Sequence, residues 1–143
     1  MSIFNTHVGP YSVFGTKAAP KTLTASYVVD TNGIQLFDGF RQCHIEVVFA
    51  EGTVGEEVEV KVETSNDEGH ESPTVFYPFS ENNYPDATPN PTQLGVEPAP
   101  YSFAETGSYV VKDISGPRWL RFSARSSVAS SFGTAFIRVR FSE

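Results

Sequence analysis

The sequence CHIEVVFAEGTVGEEVEVKVETSND, residues 43–67, decides the fold class of this chain. Every second residue of 43–49 is apolar, and residues 58–63 alternate valine with glutamate or lysine. A period of two is typical of half-buried β-strands. Gly52 and Gly55 lie between the two runs and readily adopt the positive φ that longer hairpin loops need. The stretch therefore predicts one antiparallel hairpin with an apolar face and a charged face.

The remaining chain contains further short strand patterns separated by turn signals. They cover residues 22–29, 34–40, 74–79, 101–104, 108–114, 118–124 and 135–141. No segment has a 3.6-residue period over ten residues, so little helix is expected. Pro78 removes a backbone donor and places its strand at a sheet edge or at a strand end. The pattern predicts an all-β fold, an antiparallel β-sandwich of jelly-roll type, with a closed up-and-down barrel as the alternative.

Two segments, residues 1–21 and residues 80–100, lack both the two-residue period of a strand and the 3.6-residue period of a helix. Residues 1–21 are interpreted as an extended N-terminal arm, and residues 22–143 as a single β-sandwich domain. The aromatic side chains of the arm predict that it packs on its own domain or on a neighbouring subunit. Residues 80–100 contain five of the ten prolines and form a long Pro-rich loop. A loop of this length is more often a functional or docking element than a connector.

The charge is unevenly distributed along the 143 residues. Ten basic and 17 acidic residues give a net charge of −7. Residues 46–105 contain thirteen acids and one base, a net of −12, whereas residues 112–143 contain six bases and two acids, a net of +4. The acidic balance disfavours a nucleic-acid partner. No secretory signal and no apolar run of about 18 residues are present, so no membrane partner is expected.

The residues give little support to catalysis. The motifs of nucleotide-binding loops, serine hydrolases and zinc proteases are absent. His44 beside Glu46 is more typical of a surface pair than of a catalytic one. Residues 67–71 are oxygen-rich but lack the spacing of a calcium loop. The single cysteine, Cys43, is predicted to be buried, which fits synthesis in a reducing compartment. We expect no enzyme activity, no cofactor and no metal.

Charged residues on the outward positions of the strands allow two interpretations. Arg121, Arg138 and Arg140 are outward by alternation, as are Glu46, Glu57, Glu59 and Glu63. If their strands are neighbours, they form cross-strand pairs within one domain. If the strands lie on different faces, an acidic and a basic surface meet between copies or dock on a partner.

Aromatic residues outside the core pattern suggest a second class of function. Trp119, Tyr77, Tyr84 and Tyr101 are candidate platforms for a sugar ring. A single tryptophan in a sandwich is more often a plug or cap of the core, so both interpretations stay open.

Three segments resemble a known group of proteins. FDGFRQCHIEVVF at 37–49, VKVETSNDEG at 60–69 and GSYVVKDISGPRWLRFSA at 107–124 resemble small β-sandwich virion proteins of tailed bacteriophages. Residues 118–122 also resemble the closing strands of discoidin-like and carbohydrate-binding sandwiches. The resemblance covers about residues 37–141 and leaves out the arm.

The resemblance implies a non-enzymatic virion structural protein, made in the host cytoplasm and located in the virion. It implies a capsid decoration or cement protein that binds the particle through repeated protein–protein contacts. A tail or head fibre module that binds a carbohydrate receptor is the alternative. The implied partners are the major capsid protein, other virion proteins and further copies of the chain. Candidate contact residues are Phe4, Tyr11, Phe14, Tyr84, Glu59, Glu63, Trp119, Arg121, Arg138 and Arg140.

Overall fold

The computed structural model describes residues 7–30, 34–35, 41–65, 76–79, 100–112 and 119–142, and these ranges contain strands and no α-helix. The described residues form ten strands, in chain order β1 (His7–Phe14), β2 (Lys21–Thr22), β3 (Ile34–Gln35), β4 (Gln42–Ala50), β5 (Val58–Ser65), β6 (Tyr77–Phe79), β7 (Tyr101–Phe103), β8 (Gly107–Lys112), β9 (Trp119–Ser126) and β10 (Thr134–Ser142).

The strands form two antiparallel sheets that pack face to face. In the β4 sheet the order is β1, β10, β4, β8, and β2 also pairs with β10. In the β5 sheet the order is β3, β9, β5, β6, and β7 also pairs with β5. The alternating apolar residues of both sheets are buried between them; Ile45, Val47, Val58 and Val60 are fully buried. The predicted all-β sandwich is confirmed, with two separate sheets in place of a closed barrel.

The predicted hairpin of residues 43–67 is wrong, although both of its strands exist. β4 pairs with β10 and β8, whereas β5 pairs with β9, β6 and β7. The chain crosses from one sheet to the other between Ala50 and Val58, so the two apolar faces meet across the core. Alternation reports which face of a strand is buried but does not report which strand lies beside it.

Part of the segment assigned to the arm belongs to the β4 sheet. β1 lies along β10 with register shifts at two places, and Val13 and Phe14 are buried. The described part of the arm, residues 7–21, therefore packs on its own domain, as one of the two interpretations expected. The irregular register of β1 explains why its sequence lacks a clean period of two.

The segment predicted as a strand at 22–29 is mostly irregular. After β2, Leu23 is buried and donates its backbone N–H to the carbonyl of Gly133. Val28 then exchanges two backbone hydrogen bonds with Ala124 of β9. These residues change from one sheet to the other, which prevents a continuous strand.

Candidate functional site

The outer face of the β5 sheet contains two arginine–carboxylate pairs between β5 and β9. Glu63 is in register with Arg121, whose Nη2 donates to Glu63 Oε1 at 2.8 Å and whose Nε donates to the same oxygen at 3.2 Å. The Arg121 guanidinium also lies 4.1 Å from the centroid of the Phe76 ring. The side chains of Arg121 and Glu63 are thus held on the face of their own sheet.

A second pair on this face has the same construction. Arg125 Nε and Nη2 both lie 2.9 Å from Glu59 Oε2, and the two residues are directly opposite in register. Tyr27 lies under the Arg125 guanidinium at 4.4 Å and under Lys61 Nζ at 5.2 Å. Two cations over one ring fix the 24–28 segment to the sheet.

The outer face of the β4 sheet contains a third pair. Arg138 of β10 donates through Nε to Glu46 Oε1 of β4 at 2.8 Å, again directly opposite in register. Four of the charged contact candidates, Glu59, Glu63, Arg121 and Arg138, therefore have partners inside the domain. Of the two interpretations made from the sequence, the structure shows cross-strand pairing at these residues. Such pairs contribute about 0.2–1 kcal/mol each.

Arg140 is placed differently from the other three arginines. It is exposed and lies opposite His44 of β4. Two residues earlier on β10, Arg138 lies opposite Glu46. Arg140, His44, Pro10 and Ser108 lie around a depression of about 280 Å³ on the outer face of the sheet. Among the described charged contact candidates, Arg140 is the one for which no ion pair is seen.

The aromatic candidates are spread over different places. Phe14 is buried, whereas Tyr11 is 38% exposed and packs beside Phe141 at 6.2 Å between ring centroids. Trp119 begins β9, is half-buried, and lies in register with Ser65 on one side and Gln35 on the other. Phe4 and Tyr84 lie outside the described residues.

Tyr101 and Tyr109 form a pair that joins the two sheets at one edge. Their ring centroids are 4.9 Å apart with an interplanar angle of 38°. Tyr101 belongs to β7 of the β5 sheet and Tyr109 to β8 of the β4 sheet, and Tyr109 is 39% exposed. The sequence indicated Tyr101 as a sugar platform but gave no sign that Tyr109 would stack beside it.

The Pro-rich loop interrupts a strand of the β5 sheet. Phe79 at the end of β6 is opposite Val62, and Tyr101 at the start of β7 is opposite Val60. β6 and β7 thus pair with adjacent parts of β5 and run in the same direction. The end of β6 and the start of β7 are separated by a single position of β5, that of Lys61, although about twenty residues of the chain connect them. Residues 80–99 themselves lie outside the described residues. Pro78 lies at the edge of the described sheet, as its missing N–H required.

A buried carboxylate that the sequence did not reveal fixes one end of the sandwich. Glu56 is 1% exposed and accepts hydrogen bonds from the N–H groups of Gly52 and Gly133, each at 2.9 Å to Oε1, and from the Ser126 hydroxyl at 2.5 Å. Burial acts to raise the pKa of Glu56, but these hydrogen bonds and one from the N–H of Thr53 outweigh it and hold the pKa below its ordinary value.

We name Glu56 with Gly52, Ser126 and Gly133 the Glu56 anchor. It joins the β4–β5 connection to the β9–β10 connection, which lie far apart in sequence. Gly133 has no room for a side chain, because a Cβ would lie 2.1 Å from the carbonyl oxygen of Ala50. The anchor has a structural role, since its donors are backbone groups and one serine.

Groups suited to catalysis or metal binding are not assembled in the described part of the chain. Burial raises the pKa of the Cys43 thiol, which keeps it protonated. Within the described ranges no three His, Cys, Asp or Glu side chains are close enough to hold a metal ion. No helix in these ranges is long and apolar enough to cross a membrane. His70 and the acidic residues 67–71 lie outside them.

Comparison of the chain with known protein families, with curated proteins and with solved structures found no match. The fold and its surfaces therefore define the class: a two-sheet antiparallel β-sandwich whose outer faces contain cross-strand arginine–carboxylate pairs.

Proposed function

We propose that the chain is a non-enzymatic structural protein of a tailed-bacteriophage virion, and that it decorates the capsid through repeated protein–protein contacts. The resemblance of residues 37–49, 60–69 and 107–124 to such proteins is the first support. The described parts of these segments contain β8 and most of β4, β5 and β9, which lie at the centre or edge of the two sheets.

The observation that carries the proposal is the position of the interruption between β6 and β7. A segment of about twenty residues departs from a sheet edge and returns to it within one register position. Long insertions displayed by a rigid scaffold are commonly the parts that bind a partner. A decoration protein needs this combination: a rigid scaffold and a segment that contacts the particle.

Capsid binding tests the proposal directly. The purified chain is mixed with capsids of the phage that carries the gene, and the fraction that sediments with the particles is measured. We expect saturable binding at a fixed number of copies per capsid. Absence of saturation, or release of all bound chain by a buffer exchange at physiological salt, would contradict the proposal.

A matched variant locates the contact. Replacing residues 81–99 by Gly-Ser keeps the ends of β6 and β7 where the register already brings them together, so the sandwich should fold. We expect the variant to unfold at a temperature close to that of the original chain and to lose capsid binding. Retained binding by the variant would show that another surface makes the contact.

The Tyr101–Tyr109 pair supports a second candidate function, a carbohydrate-binding module of a fibre. An exposed tyrosine beside a second ring offers an apolar platform of the kind that sugars stack on, at the edge where the interruption lies. A glycan array tests this function. Binding that is saturable and is lost on Tyr109→Ala, but not on Tyr11→Ala, would favour it over decoration.

A further inference from the structure

Among the described arginines of β9 and β10, Arg140 is the one that has no carboxylate opposite it in register. Among the described residues of β9 and β10, Arg121, Arg125 and Arg138 each lie 2.8–2.9 Å from a carboxylate oxygen of the opposite strand. Arg140 is the next outward residue of β10 after Arg138, but the residue opposite it is His44. Within the described residues no carboxylate forms an ion pair with Arg140.

The surroundings of Arg140 keep this position open. β1 runs beside β10, but its register shifts between Val8 and Tyr11, and Pro10 lies at that irregularity on the rim of the depression. On the other side of β4, Ser108 of β8 lies opposite Glu46. Arg140, His44 and Ser108 thus supply hydrogen-bond donors from three adjacent strands to one depression.

The charge of the depression matches a single anionic group. Glu46 is paired with Arg138, so these two charges compensate each other. Arg140 then leaves about one uncompensated positive charge, in a chain whose net charge is −7. One carboxylate matches one guanidinium in charge and in hydrogen-bond geometry.

We propose that this depression binds one glutamate or aspartate side chain of a partner protein. The carboxylate of the partner pairs with Arg140 in the way that Glu46 pairs with Arg138. It supplies the carboxylate that is lacking because this chain has His44 opposite Arg140. The identity of the partner as a virion protein rests on the proposed function; the carboxylate site itself does not.

A titration followed by NMR tests the site without any particle. The probe is an acetylated and amidated tetraglutamate peptide, with tetraglutamine as the uncharged control. We expect saturable shifts of the backbone amides of His44, Ser108 and Arg140. Arg140→Gln should weaken binding about fivefold or more. Lys17→Gln removes the same charge from an exposed position on the β1–β2 connection and should leave the titration unchanged.

A second variant tests the geometry. His44→Glu places a carboxylate of the chain itself opposite Arg140, so it should abolish peptide binding while the remaining spectrum keeps the pattern of the folded domain. Absence of saturable shifts at the three residues, or equal titration of the Arg140→Gln variant, would overturn the proposal. Inorganic phosphate that produces the same shifts at lower concentration would also overturn it, because the site would then be a general anion site. Since no capsid is present, failure here and failure of capsid binding are distinguishable.

Discussion

The Glu56 anchor and the Arg140 depression place a charged side chain in opposite surroundings, one buried and one exposed. Glu56 is buried and receives hydrogen bonds from two connections of the chain. Arg140 is exposed and faces a histidine in place of a carboxylate. The first arrangement is complete within the domain, whereas the second leaves the arginine accessible to a group from outside it.

The difference separates stability from recognition. A buried charge must have its partners in the folded chain, because its desolvation otherwise costs several kcal/mol. An exposed arginine keeps its hydration and loses little when it has no ion-pair partner. Substitutions at the anchor should therefore change the free energy of unfolding, whereas substitutions at the depression should change binding and barely affect stability.

Glu56→Ala should have the largest effect. It removes the acceptor of the buried Gly133 N–H and of the Ser126 hydroxyl, and we expect a loss of about 3 kcal/mol in the free energy of unfolding. Urea denaturation measures it. Glu57→Ala, one residue along and half-buried, is the control and should cost less than about 0.5 kcal/mol. Equal losses in the two variants would show that Glu56 is not an anchor.

Acidification should act on the same contact with a smaller effect. The pKa of Glu56 is lower in the folded chain than in the unfolded one, so its contribution is fully present above the unfolded pKa of about 4.3 and is lost as the pH falls through the folded pKa. Unfolding free energy measured between about pH 5 and pH 2 should fall less steeply in Glu56→Gln than in the original chain. Identical slopes would contradict the assignment.

The pairs on the outer faces should contribute less than the anchor. A double-mutant cycle of Glu63→Ala and Arg121→Ala should give a coupling free energy of about 0.5–1 kcal/mol. The pair of Glu46 and Arg138 is more exposed and should give a smaller coupling. Urea denaturation at low and high salt measures both. A coupling that is larger for the exposed pair would reverse this ranking.

His44→Glu should have the smallest effect, and its sign is the opposite. The new carboxylate should pair with Arg140 and raise the free energy of unfolding by about 0.5 kcal/mol. In an Arg140→Gln background the gain should vanish, and thermal denaturation of the four proteins measures the difference. A gain that persists without Arg140 would assign it to another neighbour.

The alternation of residues 43–49 and 58–63 was sufficient to predict β4 and β5 and their buried sides, because burial of one strand face depends on the local period. It was insufficient to predict that they belong to different sheets. That choice depends on the Glu56 anchor and on the pairing with β9 and β10, whose residues lie 54 or more positions from their partners in the chain.

The candidate site shows the same division. Alternation placed Arg121, Arg138 and Arg140 outward, and the structure placed them there. Arg125 was missed because the strand was expected to end at residue 124, although one further residue of the same alternation would have placed it outward. Which arginine lacks a carboxylate was not predictable, because that depends on the register between β4 and β10.

The sequence by itself determined the all-β class, the buried faces of the main strands and the outward direction of the charges, since each follows from the two-residue period of an extended chain. Only the tertiary structure decided which strands are neighbours, which charges are paired and where the 80–99 segment departs from the sheet. The physical reason is that strand pairing joins residues distant in sequence through backbone hydrogen bonds that every residue except proline can donate, so side-chain patterns alone do not specify the partner.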